Sequence, residues 1–201
     1  DAARADAGEL TLTPGEVHLH DDVESIIELL APRAHAKGIE VSCYVSPDLP
    51  RLVKGDAKRL GQVLLNIVGN AIKFTTQGGV LVTVTPGAAN GQIRFEVRDT
   101  GHGIPAEELE NIFDRFVQSS IAQSQAAGGT GLGLAISRDI VRLMGGDISI
   151  ESELGAGSVF RFDIAMEPVG EPGSRPVDHG MDLAGQTVRV CMPSGANREA
   201  V

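Results

Sequence analysis

The stretch Leu60 to Thr75, LGQVLLNIVGNAIKFT, constrains this chain more than any other. Apolar residues recur at Leu60, Val63, Leu64, Ile67, Val68, Ala71 and Ile72. That spacing is the i, i+3, i+4, i+7 stripe of an amphipathic helix, which needs a broad apolar surface to lie on. The opposite face is unusual. Gln62, Asn66, Gly69, Asn70 and Lys73 follow one another three or four residues apart, where a solvated face would carry Glu and Lys. Carboxamide oxygens suit a hard cation, and a single ammonium suits a phosphate. The same face also reads as a surface of uncharged polar side chains, and the helix alone leaves both readings open.

The totals narrow the choices. A length of 201 residues fits one compact domain with a tail. With 42% apolar but only 3% aromatic residues, the core must be aliphatic. No run approaches a membrane span and the start lacks a basic-then-apolar leader, so the expectation is a cytoplasmic segment without direct membrane contact. A net charge of −10 argues against a nucleic-acid surface. Any anionic ligand must then meet local cations. Cys43 and Cys191 belong to no ligand-spaced cluster, which fits a reduced compartment and no zinc site.

Along the chain, residues 1–19 read as a polar lead-in. A helix is expected after Asp21, with Asp21 as cap and Glu24 reaching back; Pro32 should kink it and Gly38 should end it. Residues 39–45 alternate as a strand, and 52–54 form a shorter one. Asp56 is placed to cap the central helix. Strands follow over 80–84 and 93–97, joined through Asn90-Gly91. A short helix is expected over 105–113, and then a low-complexity stretch, SSIAQSQAAGG, that reads as mobile. A second long helix covers 130–144, with Leu132, Ile136, Ile140, Val141 and Met144 inward. A hairpin over 147–152 and 158–164 closes the pattern. This order predicts an α/β two-layer sandwich, a mixed sheet with helices on one face. Residues 167–182 have the composition of a linker.

Three further segments carry chemistry. Asp99 to Ile104, DTGHGI, follows directly on a strand. It sets a carboxylate at a strand end, able to accept from an exocyclic amine, and Gly101 and Gly103 let the backbone turn sharply and approach a flat ring. Alone, the hexapeptide also reads as a plain turn. Gly128 to Leu134, GGTGLGL, opens a helix and leaves N–H groups free to meet phosphates. It lacks the spacing of a dinucleotide fingerprint and the GK[ST] of a P-loop. Arg115, inside Phe113-Asp114-Arg115-Phe116, reads equally as a clamp on a terminal phosphate or as a surface arginine beside an aromatic anchor.

Taken together, these segments resemble the catalytic, ATP-binding domain of sensor histidine kinases, within the wider family of Hsp90, type II topoisomerases and MutL. Asn66 through Lys73 resembles its N box, and Asp99 to Gly103 its first glycine box. Phe113 to Phe116 resembles its phenylalanine box, and Gly129 to Gly133 its second glycine box. Gly155-Ala156-Gly157-Ser158 is similar to a weaker third glycine box. The likeness covers about residues 15–166. It implies ATP and Mg2+ as cofactors, with Asn70 as metal ligand, Asn66 near metal and phosphates, and Lys73 on phosphate. It implies that Asp99 holds the adenine amine and that residues between Gly103 and Gly129 form a lid bringing Arg115 to the γ-phosphate. Gly131 and Gly133 would hug the triphosphate, with Ile104, Thr130 and Leu132 among the nucleotide contacts.

In the hydrolysing branches of that family a glutamate stands one turn before the metal-binding asparagine. Here the residue is Asn66, and an amide cannot act as that base. The resemblance therefore implies phosphoryl transfer to a protein acceptor rather than efficient hydrolysis. None of His18, His20, His35, His102 and His179 has the sequence context of an acceptor histidine. The acceptor is expected on a separate dimerisation segment of a homodimeric parent, with a response regulator or receiver domain downstream. Residues 183–201 resemble the start of a receiver domain without its acidic pair, and equally an unstructured tail. Two rival functions stay open: an ATP-sensing regulatory module without phosphotransfer, and an Hsp90-type hydrolase.

Overall fold

The computed structural model describes residues 11–117 and 130–169. The lead-in before residue 11, the low-complexity stretch with Gly128 and Gly129, most of the linker and the whole tail lie outside the described residues. The elements are β1 (Gly15–His18), α1 (Leu19–Ala36), β2 (Glu40–Val45), β3 (Leu52–Gly55), α2 (Ala57–Phe74), β4 (Gly79–Pro86), β5 (Gln92–Asp99), a 3-10 turn (Ala106–Glu108), α3 (Gly133–Leu143), β6 (Ile148–Glu153) and β7 (Gly157–Ala165). Five strands form one sheet in the order β2-β4-β5-β7-β6, parallel between β2 and β4 and antiparallel elsewhere. The expected two-layer α/β sandwich with a mixed sheet is what the chain adopts.

Strand alternation builds the two layers. On β5 and β7, Ile93, Phe95, Val97, Phe160, Phe162 and Ile164 are buried toward the helices, with Phe95 stacked on Phe162 at 5.0 Å. The residues between them face away and are charged. Arg94 sits opposite Asp163 and holds both carboxylate oxygens at 2.8 Å; Glu96 sits opposite Arg161 and pairs with it. Cross-strand opposite charges of this kind add a few tenths to about 1 kcal/mol each and keep that face in water. The apolar stripe of α2, Leu60 through Ile72, is buried in the core. Helices α1 and α3 flank α2 on the same side.

Several boundaries differ from expectation, each for a local reason. Helix α1 starts at Leu19, not after Asp21, because the Asp22 carboxylate reaches back to the His18 N–H at 2.9 Å; Glu24 is not the reciprocal group. The helix also continues past Pro32 to Ala36. The helix expected over 105–113 is only a 3-10 turn followed by turns, since its run offers the core little beyond Ile112 and half-buried Phe113. In α3 the fully buried positions are Ala135, Ser137, Ile140 and Val141, with Ile136 and Met144 half-buried and Leu132 ahead of the helix. Asp56 caps α2 as read, accepting from the Arg59 N–H at 2.9 Å, and its second oxygen takes the Thr13 N–H at 2.8 Å.

A second, two-stranded ribbon pairs β1 with β3, so paired structure begins at Gly15, within the segment read as lead-in. Pro168 bridges to Val53 on the other edge of β3, beside backbone bonds from Lys54 to Glu167 and from Val169 to Leu52.

Candidate functional site

A cavity of about 250 Å³ opens where α2, the start of α3 and the adjoining ends of β5 and β7 come together. Asn66, Asn70 and Lys73 reach it from α2 because positions three and four apart share one helical face. Asp99 comes from the last position of β5, Gly103 and Ile104 from the loop after it, and Thr130, Gly131 and Gly133 from the approach to α3. Predicted residues from three separate stretches of sequence thus share one pocket. Three predicted residues, Gly101, Leu132 and Arg115, are not among those that line it.

Asp99 is only 7% exposed. Its Oδ1 accepts the Gly101 N–H at 2.8 Å, the hydrogen bond of an Asx turn, so the carboxylate is held still by its own loop. Burial pushes its pKa up; backbone bonds from Gly101 and Ser158 and the neighbouring His102 partly oppose this. Gly101 itself supports this geometry from below: a Cβ there would lie 2.6 Å from the Phe74 carbonyl. Gly103, at φ +70°, would place a Cβ 2.0 Å from the Glu153 carbonyl. Both glycines are demanded by protein backbone packed against them. His102 also lines the cavity. Its Nδ1 lies 2.6 Å from the Gly103 carbonyl and must carry the hydrogen, because a carbonyl only accepts. Its Nε2 is buried without a partner among the described residues.

At the other end, α2 and α3 are braced through Asn66. Its Nδ2 donates to the hydroxyl of Ser137, 3.0 Å away and 1% exposed. A Cβ on Gly133 would fall 2.2 Å from the Asn66 Oδ1. Glycine at 133 is therefore the space in which the Asn66 carboxamide sits. Lys73 holds its ammonium 4.7 Å above the Phe74 ring, and both side chains line the cavity. This cation answers the need for local positive charge in an acidic chain.

The approach to α3 is tied to the segment after the 3-10 turn. The Phe116 N–H donates to the Gly131 carbonyl at 2.9 Å, and Gly131 at φ +68° leaves no room for a Cβ against Phe116 and Val117. Phe116 itself is held at φ +67°, a left-handed conformation uncommon for a bulky residue, with its side chain 68% exposed. Arg115 points to α3, where its guanidinium lies 3.4 Å from Asp139.

Sequence reasoning passes over Ser137, Lys37, Phe74, Phe160 and Ile112. Ser137 leaves one trace: it stands four residues after Gly133, on the face that meets Asn66. Ser158, inside the third glycine segment, lines the cavity and shares a hydroxyl bond with Ser152, which in turn takes the Ile104 N–H at 2.8 Å.

Comparison with known proteins places this geometry. Residues 55–168 match the model of the histidine kinase-, DNA gyrase B-, and HSP90-like ATPase family. The chain belongs to that family. Among curated relatives of this ATPase domain is the sensory/regulatory protein RpfC of Xanthomonas campestris pv. campestris, 37% identical over 200 residues; these cover 98% of the present chain and 26% of RpfC. Among solved structures, full-length ShkA in complex with AMPPNP matches with a TM-score of 0.74 and 39% identity, over 85% of this chain and 35% of that one. Histidine kinase ThkA in complex with the response regulator protein TrrA matches with a TM-score of 0.65 and 27% identity, over 81% and 45%. The chain thus spans about a quarter of RpfC and about a third of ShkA.

Proposed function

We propose that this chain is the catalytic domain of a two-component histidine kinase that binds Mg-ATP and donates the γ-phosphate to a histidine on a separate dimerisation segment of a homodimeric parent. The observation that carries this reading is a cavity that holds a buried, hydrogen-bonded acceptor, Asp99, together with the amides and ammonium of α2. Asp99 accepts the adenine amine; Phe74 and Ile104 offer the base an apolar wall; Lys73 meets phosphate. The reaction needs no covalent work from the protein. The N–P bond to the acceptor imidazole forms as the bond to the ADP oxygen breaks, and positioning and charge neutralisation supply most of the rate.

The residues present suit Mg2+. Among the described residues no group of three or more His, Cys, Asp or Glu side chains could hold a metal. Asn70 offers one carboxamide oxygen at the cavity. A small hard cation that keeps several waters and takes its other ligands from phosphate fits such a sparse donor set, and when bound it would neutralise charge along the triphosphate. Asn66 favours transfer over hydrolysis: a carboxamide has no basic site that could take a proton from water.

The test joins this domain to its own upstream segment and supplies ATP labelled in the γ-phosphate. Label on a histidine supports the reading. A dimer that binds ATP and never labels a histidine favours the ATP-sensing module, and steady phosphate release by the isolated domain favours a hydrolase. A response regulator is the proposed onward acceptor, by analogy with the ThkA–TrrA complex. The localisation proposed is cytoplasmic; among the described residues no helix is long and apolar enough to cross a membrane.

A further inference from the structure

The C-terminal end of α2 is closed by a residue from another element. A helix leaves its last carbonyls without intrahelical partners. Here the Lys37 ammonium, at the end of α1, donates to the carbonyls of Ile72, Lys73 and Thr75, each at 2.7 Å. The Thr75 N–H and hydroxyl close the Ala71 carbonyl at 3.1 and 2.7 Å. The remaining carbonyl, that of Phe74, lies against Gly101. Three converging acceptors match the three hydrogens of one ammonium, and positive charge at a helix C-terminus is favoured by the helix dipole.

This single turn touches both ends of the cavity. It carries Lys73 and Phe74, one turn beyond Asn70. It also backs the loop whose Gly101 N–H fixes Asp99. Lys37 does not itself line the cavity.

We propose that Lys37 is a positioning residue for the nucleotide: by locking the last turn of α2 it sets the separation between Asn70 and Lys73 at the phosphate end and Asp99 at the base end. The proposal rests on the ATP-binding reading given above. It has a consequence that plain stabilisation lacks. A ligand that bridges both ends feels the loss of Lys37 more strongly than a ligand that occupies the base end alone.

The experiment uses the full 201-residue chain, wild type, Lys37→Met and Lys37→Gln. Mg-ATP and adenosine are titrated by NMR, which reads weak binding, at a temperature below each variant's melting transition by circular dichroism. The expected result is a loss of ATP affinity of about tenfold in Lys37→Met, the usual scale for removing a group that orients a ligating one, with a clearly smaller loss of adenosine affinity. Lys37→Gln, whose amide can still donate to two carbonyls, should fall between, and it carries the test if the methionine variant does not fold. Equal weakening of both ligands would make Lys37 a general stabiliser and overturn the proposal, as would no weakening of either. A wild-type chain that binds neither ligand refutes the ATP reading itself, a result distinct from both.

Discussion

The two ends of the cavity are built differently. At the end proposed to hold the base, Asp99 is locked by its own loop, and Gly101 and Gly103 are pressed against the backbone of Phe74 and Glu153. At the end proposed to meet phosphate, two groups are engaged with other side chains: Asn66 holds Ser137 and fills the space over Gly133, while Arg115 lies on Asp139 outside the cavity. In the proposed reading one end is preformed, and Asn66 and Arg115 at the other exchange protein contacts for ligand contacts. Binding energy gained at the rigid end can then drive rearrangement at the adaptable one, which is how remote binding supports a reaction step.

The comparison can be broken most directly at Asn70. In the parent protein, Asn70→Ala should abolish histidine labelling while the melting transition stays in place; labelling that persists would move the metal ligand elsewhere. Next in size is Asp99→Asn, which sets an N–H2 where the base's amine donates. ATP binding should weaken by roughly 1.5–3 kcal/mol, the value of a charge-assisted hydrogen bond, and unchanged affinity by calorimetry would remove Asp99 from the base end.

Stability and pH sharpen the same point. Burial raises the Asp99 pKa, so the charged form costs the free fold stability, and that cost appears as pH rises through the raised value. Asp99→Asn should therefore leave the free domain no less stable at neutral pH even as it weakens ATP binding. Because the amine needs the carboxylate, ATP affinity should fall on acidification at a pH above the ordinary carboxylate range, and the asparagine variant should lose that dependence. A flat profile in the wild type would show that the carboxylate's charge is not used.

At the phosphate end, Gly133→Ala drives a methyl into the Asn66 carboxamide and should cost about 1–3 kcal/mol of stability by denaturant titration, the range for overpacking. Ser137→Ala removes only the acceptor for Asn66 Nδ2 and should cost about 0.5–1.5 kcal/mol. If the alanine at 133 proves harmless, Asn66 is freer than its contacts imply, and the contrast between the two ends weakens.

Much of the rigid end can be read from sequence, because its parts are local: a strand, an acid at its end and closely spaced glycines. The polar face of α2 is legible for the same reason, since one helical period brings Asn66, Asn70 and Lys73 together. What the sequence hides is long-range. Gly131 and Gly133 are predicted to make room for a triphosphate, yet their nearest neighbours are Phe116 and Asn66, fourteen or more residues away in the chain. Ser137 and Lys37 look like ordinary surface polar residues until the packing of α3 and α1 against α2 is known. The early start of α1 is missed because Asp22, not Asp21, supplies the hydrogen bond that anchors it.

Strand β3 is gripped along one edge by β1 and along the other by Pro168. Residues 15–18 and 167–169 therefore run beside a common support, outside the lining of the pocket. Both edges of one four-residue strand are thus held by segments far apart in sequence, and Gly55 at its end adjoins Asp56, the cap of α2, so strain on β3 is passed first to the helix that lines the pocket.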